Sequence, residues 1–98
     1  MPFEIEFSDD ALADYKRLDA SWQSAIRSAL ETHLRHEPTR VSKSRIKRLR
    51  DIDHPEYRLR VDDMRVFYDV REASVEILGI VPKRQADEWL DQFTEESS

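Results

Sequence analysis

Tyr57-Arg-Leu-Arg-Val-Asp-Asp-Met-Arg-Val-Phe-Tyr-Asp-Val70 decides the fold. Two runs of strand-forming residues flank the pair Asp62-Asp63, which is the pattern of a tight β-hairpin, here without the usual turn glycine. With Asp62 and Asp63 as the loop, Val61 faces Met64, Arg60 faces Arg65, Leu59 faces Val66 and Arg58 faces Phe67. Side chains alternate along a strand, so Tyr57, Leu59, Val61, Met64, Val66 and Tyr68 share one face. Arg58, Arg60, Arg65 and Phe67 share the other. Like charges opposite each other on one face of a strand pair destabilise it. An arginine triad in that place therefore points to an anionic partner.

Upstream, Phe3, Ile5 and Phe7 alternate with Glu4 and Glu6, giving a short strand with one wet face. Ser8 before Asp9 and Asp10 is a helix start, with a capping hydroxyl and carboxylates on the positive end of the dipole. Ala11, Leu12, Tyr15 and Leu18 mark the first helix. The pattern breaks at Asp19-Ala20, Ser21 offers a second cap, and Trp22, Ile26, Ala29, Leu30, His33 and Leu34 carry a second helix to about His36. Glu37-Pro38 ends it. Residues 38 to 55 read as a basic connection with room for a short helical turn near Ser44 to Leu49.

Downstream, Val75 to Val81 is apolar on both faces, as an interior strand is. Pro82 stops it, and Ala86, Trp89, Leu90 and Phe93 give a short C-terminal helix over Arg84 to Phe93, with fraying expected from residue 94 onward. The order is β-α-α-β-β-β-α. It predicts one α+β domain over residues 1–98, with an N-terminal strand and helical hairpin packed on a mostly antiparallel sheet. The arginine face is left open, or partly covered by the last helix.

The chain has 98 residues, no cysteine and a formal net charge of −5. A disulfide framework and a thiolate metal site are excluded, and the chemistry suits a reducing, cytoplasmic setting without a membrane. The charge is segregated: residues 40 to 50 hold six basic groups and no acid, and residues 85 to 98 hold five acids and no base. Local patches govern binding more than the total does, because salt screens charges beyond roughly 8 Å. The single glycine, Gly79, excludes a phosphate-binding glycine loop. No serine sits in a nucleophile elbow. His33 and His36 lie three apart, near Arg35, and read as helix surface; no metal or cofactor is expected. What remains is cationic. Arg58, Arg60, Arg65, Lys83, Arg84 and the run Lys43, Arg45, Lys47, Arg48 and Arg50 offer phosphate contacts, with Phe67 and Trp89 as aromatic surface for bases. The alternative is that the hairpin arginines pair with Asp87, Glu88 or Asp91 of the last helix.

On these residues the chain resembles the RelE/ParE superfamily of bacterial type II toxin–antitoxin toxins. The likeness covers nearly the whole sequence, from Phe3-Glu4-Ile5-Glu6-Phe7-Ser8 through His36-Glu37-Pro38 and the hairpin to Ile77–Val81 with Lys83-Arg84. It implies a microbial-RNase-like fold and a cognate antitoxin. In the RelE branch it implies metal-independent cleavage of mRNA on the ribosome; in the ParE branch, inhibition of DNA gyrase; a degenerate homologue that only binds is a third possibility. By position, Arg58 and Arg60 match the two basic residues of the first hairpin strand. Arg65 matches the arginine of the second, and Arg84 the arginine after the last strand, which makes these four the catalytic candidates. The family's base-stacking tyrosine falls on Leu90, beside Trp89. Arginine stays charged and serves poorly as a base. The general base is therefore open among His54, Glu56 and Lys83.

Overall fold

A computed structural model describes residues 2–94 of the chain. Its elements are β1 (Glu4–Phe7), α1 (Asp9–Arg17), α2 (Ala20–His33), β2 (Ile46–Arg48), β3 (Tyr57–Val61), β4 (Met64–Val70), β5 (Ser74–Pro82), a 3-10 turn (Lys83–Gln85) and α3 (Ala86–Thr94). Residues 95–98, where fraying is expected, lie outside the described residues. The five strands form one sheet in the order β1-β5-β4-β3-β2, parallel between β1 and β5 and antiparallel elsewhere.

The hairpin pairs as its alternation requires: Tyr57 with Tyr68, Arg58 with Phe67, Leu59 with Val66, Arg60 with Arg65 and Val61 with Met64. Asp62 supplies the positive φ of 52° that a glycine would otherwise provide, a conformation that a short polar side chain tolerates. Leu59, Val61, Met64, Val66 and Tyr68 join Ile26, Leu30 and Leu34 of the α2 region, Ala11 of α1, and Val75, Ile77 and Ile80 of β5 in the main core. Burial pushes the Tyr68 phenol well above its usual range, and its hydroxyl donates 2.6 Å to the Pro38 carbonyl. That bond closes the turn after α2 onto the sheet.

In β5 the apolar run has a specific cause. The register against β4 shifts between Phe67 and Tyr68: Phe67 faces Gly79 while Tyr68 faces Ile77. The bulge leaves Leu78 as the extra residue and inverts the alternation beyond it. Val75 and Ile77 before the bulge, and Ile80 after it, thus all reach the main core, while Gly79 and Val81 turn to the opposite face.

Three sequence expectations are corrected. Residues 46–48 form an edge strand rather than a helical turn, with Ile46 buried against the core and Lys47 and Arg48 exposed. A single apolar residue among cations gives no readable period, and pairing with β3 decides the conformation. The cap of α2 is Asp19, whose carboxylate accepts 2.9 Å from the Trp22 N–H; Ser21 donates to that carboxylate instead of capping. The helix also ends at His33, with Leu34 as its C-cap.

This cap carries a pH signature. The Trp22 N–H first, and the Ser21 hydroxyl second, hold the Asp19 carboxyl below its ordinary value. Asp19 therefore contributes stability above a pH of about 4, lost as pH falls through its lower folded value. Asn caps helices as well but does not titrate. The difference in melting temperature between wild type and Asp19→Asn is expected to shrink on acidification from pH 5.

Candidate nucleic-acid interface

Opposite the main core, the hairpin presents Arg58, Arg60 and Arg65, and the edge strand adds Lys47 directly across from Arg58. Arg60 is exposed, Arg58 half-buried, and Arg65 only 6% exposed. Burial, then the charges of Arg65 and Arg60, hold the Arg58 guanidinium below its ordinary value. Arg58 Nε is buried without a hydrogen-bond partner among the described residues. Arg65 is likewise lowered, by burial and then by Arg60, with Asp63 opposing. Its Nη1 donates to the carbonyls of Asp62 (2.8 Å) and Met64 (2.9 Å), so one side of this guanidinium braces the turn. Among the described residues none of the three arginines forms an ion pair, to α3 or elsewhere. Three crowded cations without an ion pair among the described residues make a surface that favours an anion.

α3 lies over the rest of this face. Trp89 stacks on Phe67 with ring centroids 4.6 Å apart and planes 11° from parallel, and Phe93 tilts against Trp89 at 4.8 Å. Gly79 makes the seat: a Cβ there would stand 2.3 Å from Trp89 Cζ2. Phe67 is fully buried, so the ring expected to meet a base is the floor under Trp89. Trp89 and Leu90 are half-buried.

Lys83 and Arg84 are placed elsewhere. The 3-10 turn is fastened to the hairpin by Lys83 N–H donating 2.7 Å to the Asp63 carbonyl. Both residues line a groove of about 820 Å3 with Asp14, Arg17, Trp22 and Asp63, to which Arg58 and Arg60 do not contribute. The site candidates thus fall into two groups on either side of the hairpin tip. Arg65 grips that tip through the Asp62 carbonyl, and the Lys83 amide through that of Asp63.

The basic run is dispersed along the β2 edge. Lys43, Arg45 and Arg50 are exposed. Arg45 Nη1 donates 3.3 Å to the Arg60 carbonyl, and Arg48 sits 5.1 Å from the Tyr57 ring centre and 3.5 Å from Glu56. His33 and His36 line a smaller cleft with Arg40 and Arg45; burial, then Arg45, hold His33 below its usual range.

One constellation was not foreseen as a unit. His54 Nδ1 lies 2.8 Å from Asp69 Oδ2, and Asp69 Oδ1 accepts 2.8 Å from the Glu56 N–H. Glu56 in turn accepts 2.8 Å from the Val70 N–H. Asp69 is 7% exposed, and the His54 side chain is open to solvent. Asp69 lies two residues from Phe67 on β4, and Phe67 pairs with Arg58, so Asp69 is the diagonal neighbour of Arg58 on the arginine face. The sequence offered His54 and Glu56 singly as base candidates, and Asp69 as the one carboxylate of its strand.

A family model described as ParE toxin of type II toxin-antitoxin system, parDE, matches residues 5–87. Among solved structures, a chain of the Mycobacterium tuberculosis toxin–antitoxin complex RelBE2 is similar, at 24% identity and a TM-score of 0.71, over 84% of this chain and 99% of that one. A mutant of the E. coli toxin RelE in the free state shares 20% identity over 98% of both chains, with a TM-score of 0.69. The E. coli DinJ-YafQ toxin–antitoxin complex is similar at 14% identity, covering 89% of this chain and 97% of that one, with a TM-score of 0.65. At these identities the likeness is one of fold. A comparison with curated protein sequences finds no match.

Proposed function

The chain belongs to the ParE toxin family of type II toxin–antitoxin systems, and from that premise we propose that it is a cytoplasmic, ribosome-dependent mRNA endonuclease restrained by a cognate antitoxin. The observation that carries this reading is the unpaired arginine face: Arg58, Arg60 and Arg65 crowd together without an ion pair among the described residues. Cleavage by the 2′-hydroxyl builds negative charge on the phosphorus centre, and fixed guanidinium groups stabilise that charge where it develops. Arg58 and Arg60 hold the scissile phosphate, and Arg65 fixes the turn from which Arg60 projects. Lys83 and Arg84, across the hairpin tip, take the flanking phosphates, and Lys47 with the β2 edge extends the track. Cations supplied by arginine let the reaction proceed without a metal. RelE-type structures of the same fold, solved as toxin–antitoxin complexes or as free toxin, support a tightly bound antitoxin here.

The test is expression of the chain alone, with mRNA 5′ ends mapped in the presence of ribosomes. Cuts within the ribosomal A site are expected, lost in Arg60→Ala and weakened in Arg84→Ala. Growth arrest with intact mRNA and trapped gyrase cleavage complexes would sink the proposal. That outcome belongs to the second reading, a gyrase-directed toxin. It is favoured by the ParE description of the matching family model and by the internal packing of Phe67 and Trp89, which removes the aromatic platform expected for a base.

A further inference from the structure

The three arginines can hold phosphate but cannot take a proton from a hydroxyl, because guanidinium stays charged. A group with that capacity is His54, whose partner Asp69 lies on the same face as Arg58. We infer that His54, held by Asp69, is the general base that deprotonates the attacking 2′-hydroxyl; this rests on the nuclease reading above. Asp69 is itself anchored: Oδ1 takes the Glu56 N–H, so Oδ2 is fixed 2.8 Å from His54 Nδ1. A carboxylate on Nδ1 sets the tautomer that leaves Nε2 as the acceptor, and it stabilises the imidazolium that forms. Nε2 makes no hydrogen bond among the described residues and the side chain is open to solvent, so it is available to substrate. The diagonal from Asp69 to Arg58 puts the carboxylate that holds the base next in register to the cation assigned to the phosphate.

The step balances without a further reagent. His54 Nε2 takes the proton, O2′ forms a bond to phosphorus, and the bond from phosphorus to O5′ breaks. O5′ leaves as an alkoxide and is protonated by water, and the imidazolium neutralises the hydroxide so formed. The products are a 2′,3′-cyclic phosphate and a 5′-hydroxyl. The charged group in contact with the ring is Asp69; behind it lie Arg71, whose guanidinium feels Asp69, and Glu56, whose N–H bonds Asp69 and whose carboxylate pairs with Arg48. None of these reaches Nε2 in a described contact.

Full-length protein is mixed with ribosomes programmed with mRNA, and single-turnover cleavage is followed from pH 5 to 9 alongside ribosome binding and melting. His54→Ala is expected to slow cleavage by about 100-fold or more, with binding within about two-fold of wild type. Added imidazole should restore part of the rate. The rise of rate with pH on the acid side should vanish in His54→Ala. Asp69→Asn keeps an acceptor for the Glu56 N–H but presents an amide to Nδ1, and should lose at least about ten-fold through the wrong tautomer. Wild-type cleavage matched by His54→Ala at every pH overturns the role of the dyad and leaves the nuclease standing. A loss that tracks melting or ribosome binding, without imidazole rescue, overturns it as well. A wild-type protein that cuts nothing overturns the nuclease reading and the dyad's role together.

Discussion

Arg58→Met is expected to abolish cleavage of ribosome-bound mRNA and at the same time to raise the melting temperature. The two effects have separate origins. Arg58 is the half-buried member of the triad, its charge disfavoured by burial, by Arg65 and by Arg60, with Nε lacking a partner. A buried unsatisfied donor costs about 1–3 kcal/mol. The site is half-exposed, so water recovers part of that cost, and a stabilisation of about 1 kcal/mol, or roughly 4–8 °C in a chain of this size, is expected on replacement by an apolar side chain of similar length. Losing one preorganised cation at the phosphorus centre should slow the reaction by about 100- to 1,000-fold. Melting curves and single-turnover rates on the same preparations check both halves. A variant that is both less stable and less active would show that Arg58 supports the hairpin, and the anion-site argument would lose its main residue.

Gly79→Ala is the second large effect. The new Cβ would fall 2.3 Å from Cζ2 and 2.5 Å from Cε2 of Trp89, distances that no packed structure tolerates. The indole cannot slide aside freely, because Phe67 lies flat beneath it and Phe93 leans on it. Either α3 lifts or the sheet distorts, at a cost of about 1–3 kcal/mol. In a Trp22→Phe background, where Trp89 is the remaining tryptophan, its emission should move to the red as the ring is exposed. Trp89→Ala should erase most of the Gly79→Ala cost, because two mutations that act through one contact are not additive. Equal costs in both backgrounds would place the clash elsewhere.

The hairpin was readable in full because alternation and turn chemistry agree: every partner from Tyr57–Tyr68 to Val61–Met64 follows from placing Asp62-Asp63 in the loop. Ser8 was readable as a cap because the hydroxyl acts on its own helix. β2 was not readable, since Ile46 is its only apolar residue and its conformation comes from pairing with β3. Asp19 outcompeted Ser21 because the helix begins two residues earlier than the serine suggests, and the serine hydroxyl then supports the capping carboxylate. The arginine face was visible as a charge pattern. Two facts were hidden by distance in the chain: the Phe67–Trp89 stack on Gly79, and the His54–Asp69 contact across 15 residues. Each depends on the bulge or on a loop conformation, and neither leaves a period in the sequence.

The margins of the sheet bear on the behaviour of the protein in concentrated solution. β1 closes one side with four residues, of which Glu4 and Glu6 are exposed; β2 closes the other with three, of which Lys47 and Arg48 are exposed. An open strand edge is a template for adding another chain, and natural proteins blunt it with brevity and charge. Here two copies meeting like margin to like margin repel. Unlike margins attract but have only three or four residues over which to form a ladder. Fibrous assembly through this sheet is thereby disfavoured, although its interior strands, Met64–Val70 and Ser74–Pro82, are long and apolar enough to seed it once uncovered.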